Sequence, residues 1–202
     1  MGGALIDLAA SVLVTAAVML LPGMALVGVL GAFTVIDPLL RPAAAVAGTI
    51  ALSSVALALT LWLHWSIMGY GLAMLLATLV LGIVALLRFT PSRGMVGRGE
   101  RARSVLGWVP PTIVLLVVGI FDAPQVRSDT YWHVALARKL GAFEHLSSAR
   151  ISFEAGAPGN PNYPLPSWHA LISLADHAPR VDLWSATWFL TLWLAPVAML
   201  AF

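Results

Sequence analysis

Residues 8–36, 43–87, 104–121 and 183–202 contain no Asp, Glu, Lys or Arg. A bilayer core about 30 Å thick takes about 20 apolar residues per helix. A charge at its centre costs roughly 3 kcal/mol on insertion scales. Runs this long without charge therefore read as membrane helices. The run 43–87 is long enough for two, with His64-Trp65-Ser66 as the turn between them. The prediction is five spans, at about 8–30, 43–63, 67–87, 104–121 and 183–202. Composition agrees: 60% of the chain is hydrophobic and 10% charged, against about 25% charged in a soluble domain. A soluble fold and a disordered chain are both excluded. The chain has no cysteine, which removes disulfides, Cys-based zinc sites and thiol nucleophiles.

The first span is too long, and lacks the basic leader, for a signal peptide. Pro22-Gly23 predicts a kink or break within it, and Pro110-Pro111 a bend in the fourth. The fifth runs straight to Phe202, so the expectation is the front portion of a longer polypeptide. The connector 88–103 holds Arg88, Arg93, Arg98, Arg101 and Arg103 against Glu100 alone. The positive-inside rule puts it in the cytoplasm. Counting outward puts the N-terminus, the turn at 64–66 and residues 122–182 outside. Three regions follow: 1–121 with four spans and the Arg-rich connector, the extracytoplasmic loop 122–182, and the fifth span, 183–202. The Arg residues are dispersed or sit beside apolar spans, which is no nucleic-acid footprint. The expected class is an all-α, multi-span transmembrane bundle in the cell membrane, with a long outer loop carrying amphipathic interfacial helices.

That loop concentrates the chemistry. It holds six acidic and five basic residues, four of the five His and six of the thirteen Pro. A first helical pattern opens at Ser128-Asp129, a capping pair, and stops at Gly141. Asp129, His133, Leu136 and Leu140 share one of its faces. A Pro-, Gly- and Asn-rich coil, 156–166, then leads to a second helix from about Ser167 to His177. Both helices are expected at the outer membrane surface. An acidic group at the start of an outer-loop helix can take a proton from a hydroxyl or hold a divalent cation, Mg or Mn. A neighbouring imidazole, His133, can stabilise a phosphate or share the metal. An Asp in a first helical turn equally serves the helix dipole alone.

Ser128-Asp129-Thr130-Tyr131-Trp132-His133, followed by Arg138, resembles the acidic outer-loop motif of the GT-C membrane glycosyltransferases. The downstream Asn162-Tyr163-Pro164 and Trp168-His169-Ala170-Leu171 are similar to a Tyr-Pro…His segment of bacterial members. Leu20-Leu21-Pro22-Gly23 also resembles large bacterial and actinobacterial proteins of that group. The resemblance implies a sugar moved from a polyprenyl-phosphate donor to a glycan or protein acceptor of the cell envelope. It makes Asp129 the catalytic base or metal ligand, and His133, Arg138, Tyr163 and His169 substrate-binding residues. Lys139, Arg150 and Arg180 are further phosphate candidates, each also suited to a lipid headgroup. It also implies membrane lipids as surroundings, and further helices or a partner subunit to complete the site.

Other chemistries fare worse. The His spacing lacks the i, i+4 pair with an intervening Glu of a metalloprotease. Gly94, Gly97 and Gly99 follow no strand, which argues against a nucleotide loop. The alternative class is a non-catalytic scaffold or transporter-like subunit of an envelope-assembly complex. The spans carry no mid-membrane ionisable group, which counts against ion-coupled transport.

Overall fold

The computed structural model describes residues 2–88, 109, 113, 128–146 and 166–194. Among them the regular structure is helical throughout. Three long helices come first: α1 (Gly2–Val29), α2 (Arg41–Trp62) and α3 (Ile67–Arg88). Each is long and apolar enough to cross a membrane. Three shorter ones follow: α4 (Ser128–Ala142), α5 (Ser167–Asp176) and α6 (Leu183–Leu192). The second and third spans fall within two residues of the sequence expectation, with the turn at 63–66 between them. The predicted fourth span and the Arg-rich connector beyond Arg88 lie outside the described residues, apart from the single helical positions 109 and 113. Of the fifth span, the described part is the ten-residue helix α6 and a turn after it.

The first helix departs from expectation. It starts at Gly2, so Asp7 lies inside it, and it continues unbroken through Pro22. Proline removes a donor and its ring crowds the preceding carbonyls. In a membrane, neighbouring helices can supply the missing partners. Here the N–H of Gly23 donates to Thr49 Oγ1 of α2 at 2.9 Å. The two helices can meet this closely because Gly23 has no side chain. A Cβ on it would sit 1.7 Å from the carbonyl oxygen of Ala45, and one on Gly48 would sit 3.1 Å from Gly23 Cα. Small residues at a crossing are the usual way for membrane helices to gain contact.

Gly31 ends the helical run in the left-handed region, φ 67°, as a residue without Cβ can. Two single 3-10 turns, Ala32–Thr34 and Pro38–Leu40, lead into α2. Asp37 caps the second by accepting from the N–H of Leu39 at 2.9 Å. Along α3 only Ile67, Tyr70 and Met74 are buried. Its remaining apolar side chains face outward, as suits a helix bathed in lipid rather than water.

Three contacts join the polar segments to the bundle. Arg180 pairs with Asp7 at 3.2 Å. His145 Nδ1 lies 3.0 Å from the carbonyl oxygen of His64. The N–H of Leu146 donates to the carbonyl of Trp65 at 2.9 Å. The start of α1 thus meets the segment after α5, and the α2–α3 turn meets the segment after α4.

The amphipathic pattern placed α5 on the membrane surface, and the structure corrects this. Seven of its ten residues are buried. Its first residue reaches down to α2: Ser54 and Ser167 share a hydroxyl hydrogen bond of 2.8 Å, and the Ser53 hydroxyl donates to the Ser167 carbonyl at 3.3 Å. Ser53 lies nine residues before the end of α2, about 13 Å along a helix. Lower down the same helix Leu174 sits against Gly71 of α3. The apolar face was legible in Leu171, Ile172 and Leu174. Its small residues, Ala170, Ser173 and Ala175, are buried too, so neighbours close on several sides and the helix is wedged among α1–α4 rather than laid across them.

Candidate functional site

The site forms where α4 meets α5. The buried face of α4 carries Val134, Leu136, Ala137 and Leu140, the period-3.6 stripe expected of it. Gly141 is not the helix stop, since α4 continues to Ala142. It is a close-approach point instead, where a Cβ would lie 2.8 Å from Ser173 Oγ of α5. This contact holds the two helices near enough for their side chains to interlock.

At that junction His133 Nδ1 and His169 Nε2 are 2.8 Å apart. The rings stack at 24°, centroids 5.0 Å apart. Trp132 sets its edge against both, at 5.1 Å from His133 and 5.2 Å from His169. His169 is 2% exposed. Burial, with the charge of His133 next in weight, pushes its pKa down to about 4 from 6.5. His169 is therefore neutral at physiological pH. With His169 neutral, a single proton is shared between His133 Nδ1 and His169 Nε2, and the tautomer decides which ring donates.

Asp129 lies in the first turn of α4, one turn before His133 on the same face by register; its side chain lies outside the described residues. Tyr163 and Arg150 also lie outside them. Arg138 is exposed and faces Asp176 electrostatically. The Asp176 carboxyl is raised by burial, with His177 and Arg138 opposing the rise. Lys139 lies over the Phe143 ring, 6.0 Å from its centroid, and Arg180 is paired with Asp7. Asp182 caps α6: its carboxylate accepts from the N–H of Trp184 and of Ser185, both at 3.0 Å. Burial alone would raise its pKa, but these bonds and the Ser185 hydroxyl hold it below the usual carboxylate value. Among the described residues, no three His, Asp or Glu side chains converge as a metal site would need.

Two of the expected residues, His133 and His169, are thus in direct contact. Sequence reasoning missed a second polar gathering at the α2–α3 turn. There His64, Trp65, Glu144 and His145 line a cavity of about 610 Å³. The left-handed backbone at His64, φ 53°, is the local cost of bringing that turn around.

The described residues thus make up an all-helical protein, with three helices able to cross a membrane and a paired-imidazole junction between α4 and α5. Comparison with known proteins adds no further assignment, since no family model, curated protein or solved structure matches the chain.

Proposed function

We propose that the chain belongs to a GT-C-type glycosyltransferase, working on the outer face of the membrane with a polyprenyl-phosphate sugar as donor. The observation that carries the reading is the 2.8 Å contact between His133 and His169. It joins the two segments on which the family resemblance rests, one turn from Asp129. In this mechanism the Asp129 carboxylate takes the proton of an acceptor hydroxyl. The acceptor oxygen then bonds to the anomeric carbon as the bond from that carbon to the phosphate oxygen breaks, with inversion. The leaving group is the polyprenyl phosphate. Where His169 donates to His133 Nδ1, the His133 proton stands on Nε2 and donates to the charge that develops on that phosphate. A divalent cation, when bound, would be held by Asp129 and would neutralise phosphate charge. Nucleotide sugars are cytoplasmic, so a transferase with its site outside needs a lipid-carried donor.

The test is transfer of radiolabelled sugar from a polyprenyl-phosphate donor by membranes carrying the full polypeptide. Asp129→Asn should reduce turnover by at least about a hundredfold, the lower range for loss of a general base. Equal turnover in the two proteins rules the catalytic reading out. A scaffold reading draws on the same junction, since the stacked imidazoles also weld α4 to α5. On that reading Asp129→Asn is silent, and only substitutions at His133 or His169 matter.

A further inference from the structure

The cavity at the α2–α3 turn has no part in the sugar-transfer reading. Its volume, about 610 Å³, falls within the roughly 300–1,000 Å³ of ordinary ligand sites. Both helices that the turn joins are long and apolar enough to cross a membrane, so the turn lies where hydrocarbon gives way to water. The lining is graded to match. Leu63 and Leu72 make its walls apolar, and Leu72, five residues into α3, lies about 8 Å along that helix at 1.5 Å per residue. His64, Ser66, Glu144 and His145 make the rest polar.

Two segments 81 residues apart are locked together around this space. The N–H of Leu146 donates to the Trp65 carbonyl at 2.9 Å, and His145 Nδ1 lies 3.0 Å from the His64 carbonyl oxygen. A carbonyl only accepts, so Nδ1 carries the proton, and in the neutral ring Nε2 is left as an acceptor. The indole of Trp65 is held against Gly69 of α3, where a Cβ would sit 2.8 Å from Trp65 Cβ and 3.2 Å from its Cγ. Trp65 is still 42% exposed. Among the described residues the lining holds one carboxylate, Glu144, and no Lys or Arg. A carboxylate, an imidazole acceptor and an indole ring suit one kind of ligand, a cation with N–H groups to donate. We infer that this cavity binds the headgroup of phosphatidylethanolamine, its ammonium held by Glu144, His145 Nε2 and the Trp65 ring. The phosphate follows two carbons from the ammonium. Ser66 Oγ accepts from the Gly69 N–H at 3.3 Å, which leaves its own O–H to donate to that phosphate. Leu63 and Leu72 meet the apolar part of the lipid. A choline headgroup keeps the charge and its attraction to the indole but has no N–H to give. A glycerol headgroup brings no cation at all.

The experiment uses the full chain purified in mild detergent, delipidated, and offered phosphatidylethanolamine, phosphatidylcholine or phosphatidylglycerol with the same acyl chains. Bound lipid is counted by native mass spectrometry. Wild type should retain phosphatidylethanolamine about tenfold better than the other two, the worth of one hydrogen bond to a charged group. Glu144→Gln should remove the preference. Trp65→Leu should lower retention of the ethanolamine and choline lipids alike, because both offer a cation to the ring. Both side chains are exposed, so the helical circular dichroism of either variant should match wild type. Equal retention of the three lipids by wild type overturns the assignment and leaves Trp65 a general interfacial anchor. An unchanged preference in Glu144→Gln overturns it too, as does unchanged retention in Trp65→Leu. Water-soluble glycerophosphoethanolamine that displaces the lipid at equal concentration would assign the cavity to a free amine and overturn the lipid.

Discussion

Two helix contacts in this molecule are both spaced by glycine and differently made. Where α1 crosses α2, the partners are glycines, a buried proline and a threonine, and no ionisable group takes part. Where α4 meets α5, glycine again sets the spacing, but the contact itself is two imidazoles and an indole. The first contact can only hold helices together. The second holds them together with groups whose charge depends on pH and on what binds nearby. The difference separates the part of the molecule that determines its shape from the part able to do chemistry.

The comparison breaks most easily at the crossing. Gly23→Leu drives side-chain atoms into the Ala45 carbonyl, 1.7 Å from the first added carbon. It should cost about 3 kcal/mol or more. The measure is the thermal melt of detergent-purified protein, with recovery of monodisperse material falling alongside. A melt within a degree of wild type would mean that the crossing is not a structural keystone.

Acid should act on the other contact alone. The folded chain holds His169 near pKa 4, against 6.5 for the free side chain. Between those values the unfolded chain takes up a proton that the folded chain refuses. Stability is therefore full above pH 6.5 and is lost as pH falls through that window, by up to about 3 kcal/mol at 1.36 kcal/mol per pH unit. Melts from pH 7 to pH 4 should fall for wild type and run flatter for His169→Phe. Parallel slopes would show that the junction does not feel its own protonation.

A smaller effect sharpens the account of the crossing. Thr49→Val keeps the shape and removes the acceptor for Gly23 N–H. The loss should be about 1 kcal/mol, read from the same melts, and Thr49→Ser should recover most of it. The smallest effect belongs to neither contact. Asp7 and Arg180 are both more than half exposed, and such pairs contribute roughly 0–1 kcal/mol. Arg180→Ala should shift the melt slightly at low salt and not at all in 0.5 M salt, where exposed charges are screened to a few ångströms.

The long helices were legible because membrane insertion is governed by a property each residue carries alone. Asp37, Arg41 and Arg88 bracket α2 and α3, and the uncharged runs between them set their ends to within two residues. Contacts between segments were harder to read. Pro22-Gly23 read as a kink or a break, and the helix is unbroken there with a partner for Gly23 in Thr49, 26 residues away. The depth of α5 depends on Ser167 meeting Ser53 and Ser54, which no period in residues 167–176 encodes. His133 and His169 were each picked out by a local motif, yet their contact spans 36 residues. The cavity at the α2–α3 turn was missed for the same reason, since Glu144 and His145 reach it from the far end of α4. Asp129 was read from its place in the first turn of a helix, and α4 does begin at Ser128.

The threonine bridge at Pro22 also bears on how the protein is made. Were α1 to enter lipid alone, the proline within it would leave its backbone ladder impaired, because the hydroxyl that compensates lies 26 residues further along the chain. An exposed polar backbone group in hydrocarbon costs several kcal/mol. The first two helices should therefore leave the translocation channel together, as a hairpin, with Thr49 already in place.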